Sequence, residues 1–158
     1  MVRSIRFAAV LALAGAMLVG GTVSGDPGGA KLVDASMVGI PAGQASLFPG
    51  VTGGGLPWVL DKGDARLFAD GRLQVSVKGL VFAAGANAGR NTIPSGRAIV
   101  SCNNGGTIIQ SSPVSYSVPE GDAQVSELIQ LPETCLGPVV FFAGITPAGP
   151  RWFAVTGS

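Results

Sequence analysis

The chain has 158 residues, with ten Lys and Arg against nine Asp and Glu, 25 Gly and no His. Its net charge of +1 at pH 7 is scattered singly along the sequence, which excludes the clustered basic surface of a nucleic-acid-binding protein. The absence of His excludes Ser-His-Asp and Cys-His hydrolysis and His-ligated zinc.

The N-terminus has the three parts of a secretory signal peptide. Arg3 and Arg6 form a basic head, an apolar run covers residues 7–20, and small residues follow up to Gly25. The run of about 14 residues is shorter than the roughly 20 that span a membrane. We therefore expect cleavage after Gly25 and no membrane span in the mature chain.

The remaining chain is expected to hold one domain. Its length of about 133 residues is enough to bury a core without metals, but it leaves little room for a second domain. Removal of Arg3 and Arg6 leaves eight basic and nine acidic residues, a net charge of −1. The predicted division is a signal peptide over 1–25, a flexible lead-in over 26–34 and a single β domain over 35–158.

Short β-prone runs, separated by Gly, Pro, Asn and Asp, follow one another along this domain. Two stretches between the runs are long and irregular, and these loops cover residues 41–57 and 83–96. We expect eight or nine strands from eleven such runs, which cover residues 36–40, 58–60, 65–69, 72–78, 80–82, 97–102, 107–112, 114–118, 123–131, 138–145 and 151–157.

Local patterns predict a hairpin turn at Asp70-Gly71, the buried face of the strand that follows it, and a bend at Gly79. Asp70-Gly71 lies between two strands and predicts a two-residue type I′ hairpin, in which both residues have positive φ. The strand over 72–78 alternates apolar and polar residues, which predicts one buried and one wet face. Gly79 interrupts this alternation, and we expect the strand to bend there between two sheets.

The fold class follows from what the chain lacks. No segment has the pattern of a long amphipathic helix, and parallel sheets need such crossover helices. We therefore predict an all-β fold, an antiparallel β-sandwich of about eight or nine strands with immunoglobulin-like architecture. A closed β-barrel is the alternative.

Cys102 and Cys135 are the two cysteines of the chain. An even pair in a small exported domain most often forms a disulfide. The loop that it would close has about 34 residues, which corresponds to about 3.5 kcal/mol of stabilisation. A nucleophilic role would need a neighbouring base such as His, which is absent.

Carboxylates are the groups available for calcium binding or for acid-base catalysis. Asp61, Asp64 and Asp70 lie in a stretch without the D-x-D-x-D spacing of a calcium loop, so turn formation is the simpler interpretation of these three residues. A charge on an apolar strand face, as at Glu127, must be paired, exposed or displaced, and we expect a register shift there. The candidates are Asp61, Asp64, Asp70, Glu120, Asp122 and Glu127.

Three aromatic residues, Trp58, Tyr116 and Trp152, are candidates for stacking on sugars. The aromatic content of 6% is low for a sugar-binding module, so we expect Trp58 and Trp152 to anchor the core or an edge of the sandwich.

Several motifs together resemble a family of exported bacterial proteins that has no assigned function. They are the Gly-rich approach to Pro57-Trp58-Val59, the step from Val77 to Leu80, the Cys102 and Cys135 pair, the Gly121-Asp122-Ala123 turn and the closing Trp152 to Gly157. The resemblance covers about residues 48–157. It implies a secreted β domain and transfers no catalytic or binding residues.

The sequence therefore predicts a secreted, non-enzymatic binding or structural domain without a cofactor. Its partner would be a protein or a cell-envelope component, contacted through the loops 83–96 and 41–57. A calcium-stabilised adhesin-like module and a carboxylate-dependent hydrolase are the alternatives.

Overall fold

The computed structural model describes residues 29–157, so the predicted signal peptide and its cleavage point lie outside the described part of the chain. Residues 29–157 form eleven β-strands and no helix, and they therefore contain no helical membrane span. The strands are β1 (Lys31–Gly39), β2 (Trp58–Val59), β3 (Lys62–Phe68), β4 (Arg72–Lys78), β5 (Val81–Phe82), β6 (Ser95–Cys102), β7 (Thr107–Gln110), β8 (Val114–Ser115), β9 (Ala123–Leu128), β10 (Val139–Thr146) and β11 (Gly149–Thr156).

Nine of these strands form one large antiparallel sheet. Its order is β7-β6-β10-β11-β1-β3-β4-β9, and β8 also pairs with β6. The sheet curls into a half-barrel, while β2 and β5 form a small antiparallel sheet of their own. The predicted all-β, antiparallel fold is confirmed.

Strand β1 belongs to both halves of the curled sheet. Its residues 31–36 pair with β3, and its residues 37–39 pair with β11. The alternation of buried and exposed residues along β1 begins at Val33, which lies before the expected start of the domain at residue 35. The predicted lead-in over 26–34 is therefore too long, since the strand begins at Lys31.

The two ends of the curled sheet approach each other through β8. This strand pairs with the start of β6, and Tyr116, which follows β8, forms an isolated antiparallel bridge with Ala123 of β9. The arrangement has features of both predicted architectures. Strands of the two halves share one apolar core, as in a sandwich, and β1 carries the hydrogen bonding from one half to the other, as in a barrel.

The turn between β3 and β4 is wider than predicted. The two strands pair antiparallel, as expected. Gly71 has a φ of +89°, but Asp70 is outside the left-handed region, so the turn is not type I′. The Gly71 N–H instead donates to the Phe68 carbonyl at 3.0 Å, the pattern of a type I turn followed by a left-handed glycine. The Asp70 carboxylate accepts the Arg72 N–H at 3.1 Å and thereby holds this wider turn.

Gly79 is the point at which the chain changes sheets, as its sequence position predicts. Its φ is +61°, a conformation that other residues rarely adopt. The chain before it belongs to β4 in the large sheet, and the chain after Leu80 continues as β5 in the small sheet. Leu80 itself is fully buried at this junction.

The core follows the predicted alternation. Leu73, Val75 and Val77 of β4 are buried, and full burial of such a side chain stabilises the fold by about 1.5–3 kcal/mol. Strands β10 and β11 carry buried residues on both faces. Their outer face is covered by the loop over 41–57, whose Phe48 ring packs edge-on against Phe141, with centroids 4.9 Å apart.

The disulfide joins the end of β6 to the connection between β9 and β10. Cys102 and Cys135 are bonded as predicted, with their Cα atoms 4.9 Å apart. Next to Cys102, the Asn103 side-chain amide forms hydrogen bonds to the backbone on both sides of Cys135. It donates to the Thr134 carbonyl at 2.9 Å and accepts the Leu136 N–H at 2.9 Å. The connection is thus held by a covalent bond and by two hydrogen bonds of one side chain.

Gly121, in the turn between β8 and β9, packs directly against the backbone of Leu80. Its carbonyl accepts the Leu80 N–H at 2.9 Å, and its φ is +79°. A Cβ at this position would overlap with the Leu80 carbonyl group. Glycine is required here both for the conformation and for the close approach.

Replacement of Gly121 by Ala is expected to lower the free energy of unfolding by about 3 kcal/mol, because left-handed strain and the steric overlap add. The matched control is Gly43→Ala. Gly43 has a φ of +77° and nothing within 4 Å of its Cβ position, so only strain of about 1 kcal/mol applies. Urea unfolding followed by circular dichroism measures both variants. Equal losses would contradict the close packing at Leu80.

Candidate functional surface

The predicted carboxylate candidates are distributed over several turns and strands. Within residues 29–157, no three His, Cys, Asp or Glu side chains come together as a group that could hold a metal ion. Asp61 and Asp122 flank Gly79, Asp64 lies on β3, Asp70 lies in the turn before β4, Glu120 is exposed in the turn before β9, and Glu127 lies on β9.

Asp61 and Asp122 are the candidates that the fold brings together. The Asp122 carboxylate accepts the Gly79 N–H at 2.9 Å, and its own backbone N–H donates to the Ser117 hydroxyl at 2.9 Å. The Asp61 carboxylate lies beside Gly79, where it occupies the space that a side chain would need. Both residues are exposed at a turn, and the hydrogen bonding of Asp122 is structural.

Two other exposed carboxylates serve as ion-pair partners. The Arg72 backbone N–H and its guanidinium, 2.9 Å from the carboxylate, lower the pKa of Asp70. Hydrogen bonds and charge from Lys31 and Arg66 lower the pKa of Asp34. A lowered pKa keeps both groups ionised at neutral pH, so neither has the protonated form that a general acid needs.

Glu127 shows that the expected register shift on β9 is wrong. The pairing of β4 with β9 runs without interruption from Leu73 opposite Glu127 to Val77 opposite Ala123. The half-buried carboxylate accepts the Ser112 N–H at 2.7 Å and the Ser112 hydroxyl at 3.1 Å. The charge is therefore paired with two donors from the segment that follows β7, and β9 stays in register.

The aromatic candidates belong to the core. Trp58, Tyr116 and Trp152 are all buried, so the expectation for Trp58 and Trp152 is confirmed. The Tyr116 hydroxyl donates to the Leu80 carbonyl, and burial raises the pKa of this phenol. In the conformation described, none of the three rings offers a face to a sugar.

The two loops expected to carry function meet beside the small sheet. The Ala83 N–H donates to the Pro57 carbonyl at 2.9 Å, and the Leu56 side chain lies 3.6 Å from the Cβ position of Gly85. Leu56 and Val59 are 48% and 51% exposed, and residues 83–90 are exposed throughout. We call the surface made by Leu56, Val59 and residues 83–90 the loop face.

A stack of aromatic rings supports the loop face. The Trp58 ring lies between Phe153, with centroids 3.8 Å apart, and Phe82, with centroids 4.0 Å apart. The Phe82 carbonyl accepts the Gly89 N–H at 2.8 Å, which closes the base of the exposed loop. The loop face is therefore built on packed rings rather than on an unsupported chain.

The fully buried Asn91 fixes the far end of the second loop, and it is not among the residues predicted from the sequence. Its amide donates to the carbonyls of Ile93 and Ser117 at 2.8 and 2.7 Å, and it accepts the Ile93 N–H at 2.9 Å. An Asn two residues before its backbone partner has the spacing of an Asx turn, so the hydrogen bonds between Asn91 and Ile93 could be predicted from the local sequence. The hydrogen bond to Ser117, 26 residues away, could not be predicted in this way.

The chain matches no family model, no curated protein and no solved structure in the comparisons. The resemblance to a family of exported bacterial proteins therefore stays a prediction.

The contact between the Glu127 carboxylate and the Ser112 hydroxyl is expected to contribute a coupling energy of about 0.5–1 kcal/mol, because Ser112→Ala removes this hydrogen bond to a charged group and keeps the one from the Ser112 backbone N–H. Urea unfolding of Glu127→Ala, Ser112→Ala and the double variant measures it. Glu133→Ala combined with Ser112→Ala is the control, since Glu133 is exposed, and its effects should add. Simple additivity in the Glu127 cycle would contradict the contact.

Proposed function

We propose that this chain is an exported, non-enzymatic domain that binds a protein or a cell-envelope component at or outside the cell envelope. The N-terminal signal features over residues 1–25 support export. The disulfide between Cys102 and Cys135 is typical of an oxidising compartment.

The loop face carries the proposal for binding. Leu56 and Val59 are half exposed, and burying such aliphatic side chains against a partner is favourable. The small residues of 83–90 allow a partner backbone to approach closely. The rings of Trp58, Phe82 and Phe153 stiffen the base, which lowers the entropy lost on binding.

The use of the carboxylates supports a non-enzymatic role. Asp70 is held in an ion pair, Asp122 binds the backbone of Gly79, and Glu127 binds Ser112. A glycosidase needs two carboxyls that face each other across the scissile bond, whereas these three maintain turns and strand contacts. No observation on the described residues favours the calcium-stabilised module.

Export is expected to remove the first 25 residues. When the full chain is expressed in a bacterial host with its own N-terminus, protein outside the cytoplasm should begin at Asp26, to within a few residues. Leu13→Arg should keep the protein in the cytoplasm, because a charge interrupts the apolar run. N-terminal sequencing of cell fractions measures both. Recovery of the intact chain from the cytoplasm alone would contradict export.

Binding through the loop face predicts a selective loss. The purified protein, immobilised and exposed to cell-envelope extract and secreted protein, should retain a partner whose affinity falls at least about tenfold in Leu56→Ser/Val59→Ser, because apolar burial is lost. Leu128→Ser is the control, since Leu128 is 70% exposed on β9 and should not affect binding.

Surface plasmon resonance with the captured partner gives the affinities, and thermal unfolding shows that the variants are folded. Equal binding by the double variant and the control would reject the loop face as the binding surface. Capture of no partner from either material would reject the binding role.

A further inference from the structure

Residues 41–51 cross the outer face of the large sheet as a strap. On one side of the strap the Ile40 N–H donates to the Phe153 carbonyl at 2.8 Å, and on the other the Thr52 carbonyl accepts the Trp152 N–H at 3.0 Å. Between these two attachments, the backbone hydrogen bonds of the strap within the described chain are local. The Leu47 N–H donates to the Gln44 carbonyl, and the Ala45 carbonyl accepts the Gly53 N–H.

Side-chain packing therefore holds the strap to the sheet. The Phe48 ring contacts Phe141 and Trp152, with centroids 4.9 and 5.5 Å apart, and Val51 is buried. Near the tip, Gly50 lies against Gly105 and Ile108. Segments held by few apolar contacts and few hydrogen bonds open at a lower free energy than the sheet beneath them.

The group beneath the strap is an unsatisfied donor. Trp152 is fully buried, and no protein group among residues 29–157 accepts a hydrogen bond from its indole Nε1–H. The Cβ position of Gly53 is 3.0 Å from Cε2, the carbon bonded to Nε1, and 3.0 Å from the Cα atom of Ala45, so the strap borders this part of the ring. This N–H is shielded from bulk solvent in the closed form, so its exchange with water reports access to this part of the ring.

We propose that the strap opens as a unit about its attachments at Ile40 and Thr52, and that opening uncovers Trp152 and Phe141. The sheet remains intact during this motion, because its hydrogen bonds do not involve the strap. The uncovered surface has an aromatic floor and one hydrogen-bond donor, which are absent from the closed surface.

Hydrogen exchange of the Trp152 indole N–H measures the opening directly, since no described protein group accepts from this N–H and its exchange depends on access to solvent. In the full wild-type protein, NMR should show it exchanging at least about 100-fold faster than the slowest amides of β10 and β11. The chain has two Trp residues, and Trp58→Phe assigns the two indole signals. This measurement needs no variant of the strap.

Phe48→Ala should speed the Trp152 indole exchange about tenfold and leave the slowest sheet amides unchanged, because it removes packing that only the closed strap has. Leu47→Ala is the matched control, since Leu47 is on the strap but 54% exposed, and the exchange should change less than twofold. The proposal is overturned if the Trp152 indole exchanges no faster than the slowest sheet amides. It is also overturned if Phe48→Ala accelerates all protected sites equally.

Discussion

The backbone of Leu80 is the point on which the rest of the fold depends. Its N–H is bound by the Gly121 carbonyl and its carbonyl by the Tyr116 hydroxyl, while Asp122 takes the N–H of Gly79 next to it. The segment from Tyr116 to Asp122 thus provides hydrogen-bond partners for the backbone groups of Gly79 and Leu80, where the chain leaves the large sheet for the small one. A buried backbone group without a hydrogen-bond partner lowers the stability of the fold. This segment therefore stabilises both the approach of β8 to β9 and the position of the small sheet.

Features that depend on neighbouring residues were predictable from the sequence. The buried face of β4 follows from its alternation, the change of sheet follows from Gly79, and the disulfide follows from an even pair of cysteines. The two loops were also identifiable from their composition. Their meeting, and the stack of Trp58 on Phe153 below them, bring together residues almost a hundred positions apart, for which one sequence carries no signal.

The predictions that were wrong concern residues whose partners are distant or whose turn geometry is finely balanced. Glu127 keeps its register because Ser112, fifteen residues earlier, supplies two donors. Strand β1 begins at Lys31 because β3 offers it an edge. Asp70 avoids positive φ because the carboxylate finds a local partner in Arg72, which suits the wider turn. In each case a hydrogen-bond partner outweighed the residue's own preference.

The position of β1 also bears on how the chain reaches its native state. Residues 37–39 of β1 pair with β11, the last strand of the described residues, so this part of the hydrogen bonding of β1 forms only once β11 is available. Contacts between such distant segments slow folding, because a large loop must close before they form. Until β11 is in place, residues 37–39 of β1 keep an unpaired edge, and the hydrogen-bonded link from β1 to β11 that joins the two halves of the large sheet is missing.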